Sequence, residues 1–464
     1  MLRQWQSECV DAAIAKYRYG KGSHFLCLAT PGAGKTVMAA NVAKRLLDDN
    51  LIDYVLCFSP SKEIALGLKR TFEKTLQNRF DGYLGSLGDS LTYQAMVTLD
   101  RSFWQLLHQA RVLVVFDEIH HCAGTELGKS NRWGESILAN VHNNASYTLA
   151  LTGTPWRTDA LPISLGRYLS PDAGVSCDYV YGLDKAISDK VCRAPKIVLI
   201  DNDKIELQME SKTEVFTSIE SYLSEGRGKY GNLIQDENCI DYVLGLAVRK
   251  LNMLRMRKPN AGGLIVAASV SHAMTVYRIL RDSHNKPARV VTYRHDKSNE
   301  IIDTFRNSSE EWIISVGMIS EGTDIPRLQV CCHLTTVKTE MYFRQVLGRI
   351  MRIENNDDEE AWMYTFAEPN LTAYAQRLQT EVPHYALISK EKKEEDVSAC
   401  AFAISERETV EKHTISIECL KFLKNEFESR AIERACSPTK HLESSDCRVA
   451  GCFRERVINA FLWT

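Results

Sequence analysis

The sequence predicts an α/β protein with two tandem domains, each a parallel sheet covered by helices, and a small, mostly helical C-terminal appendage. Three observations predict this class. The chain has 464 residues, which is more than one ordinary hydrophobic core accommodates. Apolar strand-like runs alternate with helical patterns in two successive series. Most positions within a run are apolar, as in strands that are buried on both faces of a sheet.

The first series of strand-like runs begins near residue 24. The helical stretch VMAANVAKRLLDD follows its first run, which is the strand–helix alternation expected of a parallel sheet. The runs of this series are HFLCLA (24–29), DYVLCFS (53–59), RVLVVFD (111–117) and SYTLALT (146–152).

The second series begins near residue 262, after the amphipathic segment CIDYVLGLAVRKLNMLRMR, which predicts a helix leading into it. Its runs are GGLIVAAS, ARVVTY, EWIISVG, QVCCHLT and AWMYTF. We therefore divide the chain into a first domain (1–190), a connecting helical segment (191–260), a second domain (261–370) and a helical appendage (371–464).

The composition limits the classes of partner and compartment. The formal net charge of −2 predicts no strongly basic surface, so a nucleic-acid partner has to be held in a local groove. The 14 cysteines are scattered, and several lie in apolar runs, which favours buried reduced thiols over a disulfide framework. The N-terminus lacks a signal-peptide core, and no stretch is long enough to span a membrane. We therefore expect a cytoplasmic protein without a membrane partner.

The appendage contains four residues of types that bind zinc, but their spacing is irregular and no C-x-x-C pair occurs. Scattered thiols explain them better than a zinc site. Basic residues in the same region alternate with acidic ones, which predicts a solvated surface. The four residues are Cys436, His441, Cys447 and Cys452.

A glycine-rich bend, ATPGAGKT (29–36, the phosphate loop), stands between a predicted strand and a predicted helix. Gly32 and Gly34 allow backbone N–H groups to turn inward, and the next helix adds the positive end of its dipole. Lys35 is placed to reach the β- and γ-phosphates of a nucleotide, and the Thr36 hydroxyl is placed to bind Mg²⁺. The alternative is a chance glycine turn, which the strand-before, helix-after setting disfavours.

The run RVLVVFDEIHH ends a predicted strand with two carboxylates and two imidazoles. Asp117 is placed to hold Mg²⁺, and Glu118 to polarise an attacking water. His120 is placed to sense the γ-phosphate and relay its state. Alone, the pattern also fits a metal site or a polar strand end, but the upstream phosphate loop favours nucleotide chemistry. The H-E-x-x-H motif of zinc hydrolases is absent.

These residues, with others in the same order, resemble the superfamily 2 helicases. The resemblance is to the DEAH-like group related to type III restriction translocases and to bacterial and phage DNA repair helicases. It covers about residues 2–366. The motifs that carry it are LRQWQ, ATPGAGKT, FSPSKEIALG, LTYQAM, DEIH, LTGTPWR, GGLIVAASVSHA, SVGMISEGTDIP and QVLGRIMR.

The resemblance implies two RecA-like domains with ATP and Mg²⁺ in the cleft between them. By motif position, adenine is read by Gln6 with Arg3 beside it. The loop residues that hold the nucleotide are Thr30, Pro31, Gly32, Ala33, Gly34, Lys35 and Thr36, and Gly322 and Asp324 approach it from the second domain. The residues that couple hydrolysis to movement are His120, Thr152 and Thr154.

The segment QVLGRIMR spaces Gln345, Arg349 and Arg352 by four and three residues, which predicts one helical face. Guanidinium groups delivered across a cleft stabilise charge on a transferring phosphoryl group, worth ~10³ to 10⁵ in rate in other enzymes. The alternative is a surface helix with solvated arginines.

Family members grip one nucleic-acid strand along its phosphates with amides and hydroxyls at loop ends. The hydroxyls in the matching motifs are those of Ser61, Thr92, Ser269 and Thr323. Each has an alternative role as a helix cap or turn residue.

The leading functional hypothesis is an ATP-dependent helicase or translocase that acts on single-stranded or forked DNA. An RNA helicase is the second hypothesis. The sequence TGTP within the motif LTGTPWR favours a DNA substrate over RNA. The third is an ATP-gated scaffold that works with a separate nuclease or a repair or defence protein. An intact Lys35, Glu118 and Arg352 argue against an inactive motor.

Overall fold

The computed structural model describes residues 2–20, 22–124, 130–153, 162–168, 175–209, 212–225, 228–292, 298–317, 325–353, 360–380, 386–388 and 446–459. All of these residues belong to one unit, which comprises residues 1–389 and 446–464.

The first lobe alternates strands and helices, as its sequence predicts. A short 3₁₀ turn follows the fourth strand at Ile119–His121. The elements of the first lobe are α1 (Gln4–Arg18), β1 (His24–Ala29), α2 (Lys35–Asp48), β2 (Tyr54–Ser59), α3 (Lys62–Leu76), β3 (Gly88–Thr92), α4 (Tyr93–Thr98), α5 (Arg101–Trp104), α6 (Leu106–Gln109), β4 (Val112–Asp117), α7 (Arg132–Ser136), β5 (Tyr147–Thr152), β6 (Arg167–Tyr168), β7 (Val175–Cys177), β8 (Tyr179–Tyr181) and α8 (Leu183–Ser188).

Among the described residues, six strands of the first lobe form one parallel sheet in the order β3-β2-β4-β5-β1-β8. Its central strands are buried on both faces, because their apolar residues pack into two hydrophobic clusters on either side. All carboxyl ends of the strands meet at one edge of the sheet. That edge carries Ala29, Ser59, Thr92, Asp117 and Thr152 as the last residues of β1 to β5.

The second lobe begins after a linker of residues 189–193. Its elements are β9 (Ala194–Asn202), β10 (Ile205–Met209), β11 (Lys212–Phe216), α9 (Ile219–Ser224), α10 (Tyr230–Gln235), α11 (Glu237–Arg257), β12 (Gly262–Ala267), α12 (Val270–Asp282), β13 (Ala288–Thr292), α13 (Ser298–Arg306), β14 (Trp312–Val316), β15 (Leu328–Leu334), α14 (Glu340–Ile350), β16 (Glu360–Phe366), α15 (Pro369–Thr380), β18 (Asp446–Val449) and β19 (Phe453–Asn459). Strand β17 (Ala386–Ile388) follows α15 in the chain but pairs with β7 of the first lobe.

In the described part of the second lobe, seven strands form a sheet in the order β13-β14-β12-β15-β16-β9-β19. All neighbours are parallel except β19, which runs antiparallel to β9. The prediction of two tandem α/β domains with parallel sheets is therefore confirmed. The apolar runs named above form inner strands of the two sheets, except ARVVTY, which forms the edge strand β13.

The segment 191–260, predicted as a helical connection, also supplies a strand of the second sheet. Strand β9 pairs with β16 over seven residues, from Ala194 opposite Glu360 to Ile200 opposite Phe366. Its apolar residues are buried, which explains why the run KIVLID joins the sheet. The predicted amphipathic helix is α11, and eight of its residues are buried.

The appendage is helical only in part of its described length. Helix α15 is present, but residues 386–388, 446–449 and 453–459 are strands, contrary to the prediction. Strand β18 pairs with β10, and β19 covers the edge of the second sheet beside β9. These backbone hydrogen bonds join residues that are about 250 positions apart in the chain, so local helix preference could not reveal them.

None of the helices in the described parts of the chain combines the length and the apolar character needed to cross a bilayer. Cys27, Cys57, Cys331 and Cys332 are buried free thiols inside strands. In those same parts, no group of three His, Cys, Asp or Glu side chains is arranged to hold a metal ion. Cys436 and His441 lie outside the described residues, and Cys447 pairs with Leu207 in the sheet of β10 and β18.

Candidate active site

The phosphate loop connects the end of β1 to the start of α2. Gly32 and Gly34 have φ angles of 83° and 95°, in the left-handed region that glycine occupies without strain. The Thr30 N–H donates to the Tyr181 carbonyl at 3.1 Å, which anchors the loop to the neighbouring strand. Because α2 begins at Lys35, its first-turn N–H groups and the positive end of its dipole lie at the loop.

Lys35 is 8% exposed and lies at the common edge of the strands. Its ammonium donates to the Ala29 carbonyl at 3.1 Å and is 3.6 Å from Glu118 Oε1. A Cβ atom placed on Gly153 would come within 3.3 Å of Lys35 Nζ. The ends of β1, β4 and β5 therefore bring Lys35, Glu118 and Gly153 together.

Asp117 and Glu118 have different environments. Asp117 is 7% exposed. Burial, and then the adjacent Glu118 charge, raise its pKa to about 7, against the opposing effect of Lys35. Glu118 has a φ of 51°, which is uncommon for a residue with a side chain and often marks functional sites. A buried carboxyl of this kind and the half-buried Thr36 hydroxyl offer the oxygen ligands that Mg²⁺ prefers.

A chain of contacts joins Glu118 to the end of β5. Glu118 Oε2 accepts from the Gly153 N–H at 3.4 Å and lies 3.4 Å from His120 Nδ1. His120, which is 2% exposed, places Nδ1 3.0 Å from the Thr152 hydroxyl. The structure thus brings His120 and Thr152 together, whereas Thr154 lies outside the described residues.

Arg3 and Gln6 both bind the backbone of the phosphate loop. Arg3 Nη1 donates to the Ala33 carbonyl at 2.8 Å, and Gln6 Nε2 donates to the Gly34 carbonyl at 3.0 Å. Gln6 Oε1 also accepts from the Arg3 N–H at 2.9 Å. The start of α1 is therefore fastened to the phosphate loop.

Gln345 and Arg349 lie on α14 of the second lobe, where both are half-buried. Arg352 does not share that helical face as predicted, because α14 ends at Ile350. Arg352 instead forms an isolated antiparallel bridge with Cys192 of the linker. A Cβ atom on Gly32 would lie 3.0 Å from Arg352 Cγ, so this arginine lies directly against the phosphate loop.

Gly348, to which the sequence analysis gave no role, allows α14 to approach the phosphate loop closely. A Cβ atom at this position would be 2.6 Å from Pro31 Cβ, closer than packed side chains come. Cys192 adds a second contact, with its Sγ 3.7 Å from the Pro31 carbonyl. The sequence does contain a signal for this contact. A glycine in the middle of a predicted helix lowers the stability of the helix, so its presence often indicates close packing at that position.

The three described hydroxyls of the predicted strand-binding set are all helix N-caps. Ser61 accepts from the Ile64 N–H at 3.3 Å, and Thr92 from the Ala95 N–H at 3.1 Å. Ser269 accepts from the His272 N–H at 3.1 Å. Each therefore marks the N-terminal end of a helix that follows a strand of one of the two sheets. The remaining predicted residues, Gly322, Thr323 and Asp324, lie outside the described residues.

Tyr93 links the acidic pair to the segment that carries Thr92. Its hydroxyl donates to the Asp117 carbonyl at 2.7 Å, and its side chain is fully buried. Its ring stacks on Trp133 with centroids 5.4 Å apart. The sequence contains this tyrosine in LTYQAM, but spacing alone does not show that it contacts β4.

Comparison with known proteins adds family relationships to this geometry. The protein-family model "Type III restriction enzyme, res subunit" matches residues 1–157, and the family model "Helicase conserved C-terminal domain" matches residues 247–354. An uncharacterized protein of Mycobacterium tuberculosis is 31% identical over 402 residues, 82% of this chain and 64% of that protein. A related protein of Mycobacterium leprae is 29% identical and is covered over 65% of its length. The chain thus spans slightly less than two thirds of these mycobacterial relatives.

More distant relatives include proteins with stated activities. The DNA 3'-5' translocase XPB2 of Sulfurisphaera tokodaii is 25% identical over 379 residues, 77% of this chain and 80% of that protein. The fold is similar to a fragment of a putative HsdR subunit of a type I restriction enzyme from Vibrio vulnificus. That match has a TM-score of 0.55 at 16% identity and covers 80% of this chain and 65% of the fragment. The ATP-dependent Type ISP enzyme LlaBIII bound to DNA has a TM-score of 0.53 at 14% identity, over 84% and 31% of the two chains.

Proposed function

We propose an ATP-driven DNA motor for this chain, which belongs to the superfamily 2 helicases and combines a type III restriction-type domain with a conserved helicase C-terminal domain. The motor couples ATP hydrolysis between the lobes to movement along DNA or to its unwinding. The observation that carries the proposal is the meeting of Arg352 with the phosphate loop that presents Lys35. A motor in which ATP binding and hydrolysis close and open the two lobes requires cationic side chains from both lobes at one phosphate site.

Binding of the triphosphate is assigned to the loop and its neighbours. The loop N–H groups and Lys35 hold the phosphates, while Arg3 and Gln6 fasten the loop and lie toward the base. Thr36 and Asp117 would hold Mg²⁺, which neutralises phosphate charge when bound.

Hydrolysis is assigned to Glu118 as the base that orients and deprotonates the attacking water. Its carboxylate is held by the Gly153 N–H and lies beside His120, so its direction is set before substrate arrives. Gln345, Arg349 and Arg352 stabilise the charge that develops on the phosphoryl group. The contact between His120 and Thr152 would transmit the change from bound ATP to hydrolysis products from the acidic pair to the end of β5.

The nucleic-acid strand is assigned to the carboxyl-end edges of the two sheets. Ser61, Thr92 and Ser269 stand at helix N-termini there, where N–H groups and hydroxyls suit phosphate oxygens. DNA is preferred to RNA because the coupling motif reads TGTP and because a relative covered over 80% of its length is a DNA translocase.

The test is an ATPase assay of the purified chain with single-stranded DNA, forked DNA, duplex DNA and RNA side by side. We expect DNA to raise the rate and high salt to weaken that stimulation, because phosphate contacts release counterions. Glu118→Gln is the matched control. It should bind ATP but lose ~10²-fold or more of the stimulated rate, since general-base catalysis contributes about that much.

Each remaining outcome identifies a different function. Stronger stimulation by RNA than by any DNA would support an RNA helicase. A rate indifferent to all four nucleic acids would support an ATP-gated scaffold that acts with a nuclease or defence protein. A Glu118→Gln variant that no longer binds ATP would contradict the role given to Glu118.

A further inference from the structure

Arg193 is a fully buried arginine in the linker between the two lobes, with 0% exposure. A guanidinium carries five N–H donors and no acceptor, and burying it is costly unless those donors are paired. Its terminal nitrogens donate to three backbone carbonyls, which pair the buried charge and fix the orientation of the guanidinium.

These carbonyls belong to segments that are separated in sequence but meet at Arg193. Nη1 donates to the Leu328 carbonyl at 2.7 Å and to the Ile350 carbonyl at 2.9 Å. Nη2 donates to the Pro326 carbonyl at 2.9 Å. Arg193 therefore ties the linker to the beginning of β15 and to the end of α14 at the same time.

The contact with Ile350 caps the last residue of α14. The final carbonyls of a helix lack partners inside the helix, and a cation there also suits the negative end of the dipole. The Arg193 N–H donates in addition to the Met351 carbonyl at 2.7 Å. Beyond this point the chain runs antiparallel to the linker, with Cys192 opposite Arg352.

We propose that Arg193 is a positioning residue, which ends α14 at Ile350 and thereby sets Arg352 against the phosphate loop. Its neighbour Cys192 contacts Pro31 of that loop, so the linker touches both halves of the site. The inference rests on the proposed ATPase function, since it gives Arg193 a role only through Arg352.

The chain offers a matched control in Arg327, a second buried arginine of the same lobe with 3% exposure. Its guanidinium donates to the carbonyls of Phe305 at 2.7 Å, Glu310 at 2.8 Å and Asn260 at 3.1 Å. Asn260 and Glu310 precede β12 and β14, so this cluster joins the amino ends of those strands, whereas the cluster of Arg193 includes the carbonyl at the end of α14.

The experiment compares Arg193→Lys with Arg327→Lys in the full chain. Lysine keeps the charge but cannot reach several carbonyls in fixed directions. We expect Arg193→Lys to lower kcat at least about tenfold with the ATP KM within about twofold, because small displacements of a catalytic group cost that much or more. Arg327→Lys should lower the thermal midpoint comparably and leave kcat within about twofold. Amide exchange in residues 340–353 should accelerate only in Arg193→Lys.

A double variant tests whether the effect passes through Arg352. Arg193→Lys added to Arg352→Ala should lower kcat no further than Arg352→Ala alone, since residues that act as one unit are not additive. Full additivity would overturn the proposal, as would an unchanged kcat in Arg193→Lys. So would failure of the Arg193→Lys chain to fold while Arg327→Lys folds. A parent chain without ATPase activity would instead refute the proposed function.

Discussion

The two lobes build their halves of the site in different ways. In the first lobe, Lys35 at the start of α2 and the pair Asp117 and Glu118 at the end of β4 lie at one edge of the sheet and contact one another within that lobe. In the second lobe, Arg352 lies beyond the end of its helix and is placed by the linker and by the phosphate loop. The first half is therefore fixed by the topology of one sheet, and the second half depends on how the lobes meet.

This difference predicts different consequences of substitution. Changes in the first half should remove binding or chemistry outright, because the groups concerned are formed within one rigid sheet. Changes at the contact between the lobes should lower turnover and leave nucleotide binding to the first lobe nearly intact.

Lys35→Ala should have the largest effect. The phosphates lose the cation at the start of α2, and we expect turnover to fall on the order of 10³-fold. Initial rates at saturating ATP, together with titration of a fluorescent nucleotide, measure turnover and binding separately. Unaltered turnover would end the assignment of the phosphate loop.

The same contrast shows what the sequence could predict. The apolar runs predicted the strands, all of them inner except β13, and the local motifs placed Lys35, Asp117 and Glu118 at one edge of the first sheet, because parallel strands share an edge. Arg352 was wrongly placed on the face of α14, because the helix ends through a contact with Arg193, 157 residues away in the chain. Strand β19 was missed for the same reason, since its pairing depends on the edge of β9.

Gly348→Ala should have an intermediate effect and tests the contact between the lobes. In an isolated helix this change stabilises by about 1 kcal/mol. Here the added Cβ would meet Pro31 Cβ at 2.6 Å, so α14 or the loop must move. We expect kcat to fall roughly tenfold, with nucleotide affinity changed much less, because groups that cross the cleft are displaced.

The matched control for that change is Gly245→Ala in α11 of the same lobe. An added Cβ there would be 3.4 Å from His284 Cε1, an ordinary contact, so stability should hold or rise and kcat should not change. Equal kcat values in the two variants would show that α14 does not need its close approach to the loop.

Tyr93→Phe should have the smallest effect. The change removes one buried hydrogen bond to the Asp117 carbonyl, which costs about 1–3 kcal/mol of unfolding free energy. Tyr17→Phe is the control, because the Tyr17 hydroxyl donates to the Thr148 carbonyl at 2.8 Å in the same lobe. Denaturant unfolding should give similar losses for both, while only Tyr93→Phe should lower the DNA-stimulated rate, by a few fold. A similar rate loss in both variants would reduce Tyr93 to a packing role.

The most direct measurement is a crystal structure of the chain with a non-hydrolysable ATP analogue and magnesium. The account predicts one triphosphate between the lobes, with Lys35 Nζ and the Arg352 guanidinium both within about 3 Å of γ-phosphate oxygens, the distance of charge-assisted hydrogen bonds. A nucleotide held by the first lobe alone, with Arg349 and Arg352 turned away from its phosphates, would contradict it.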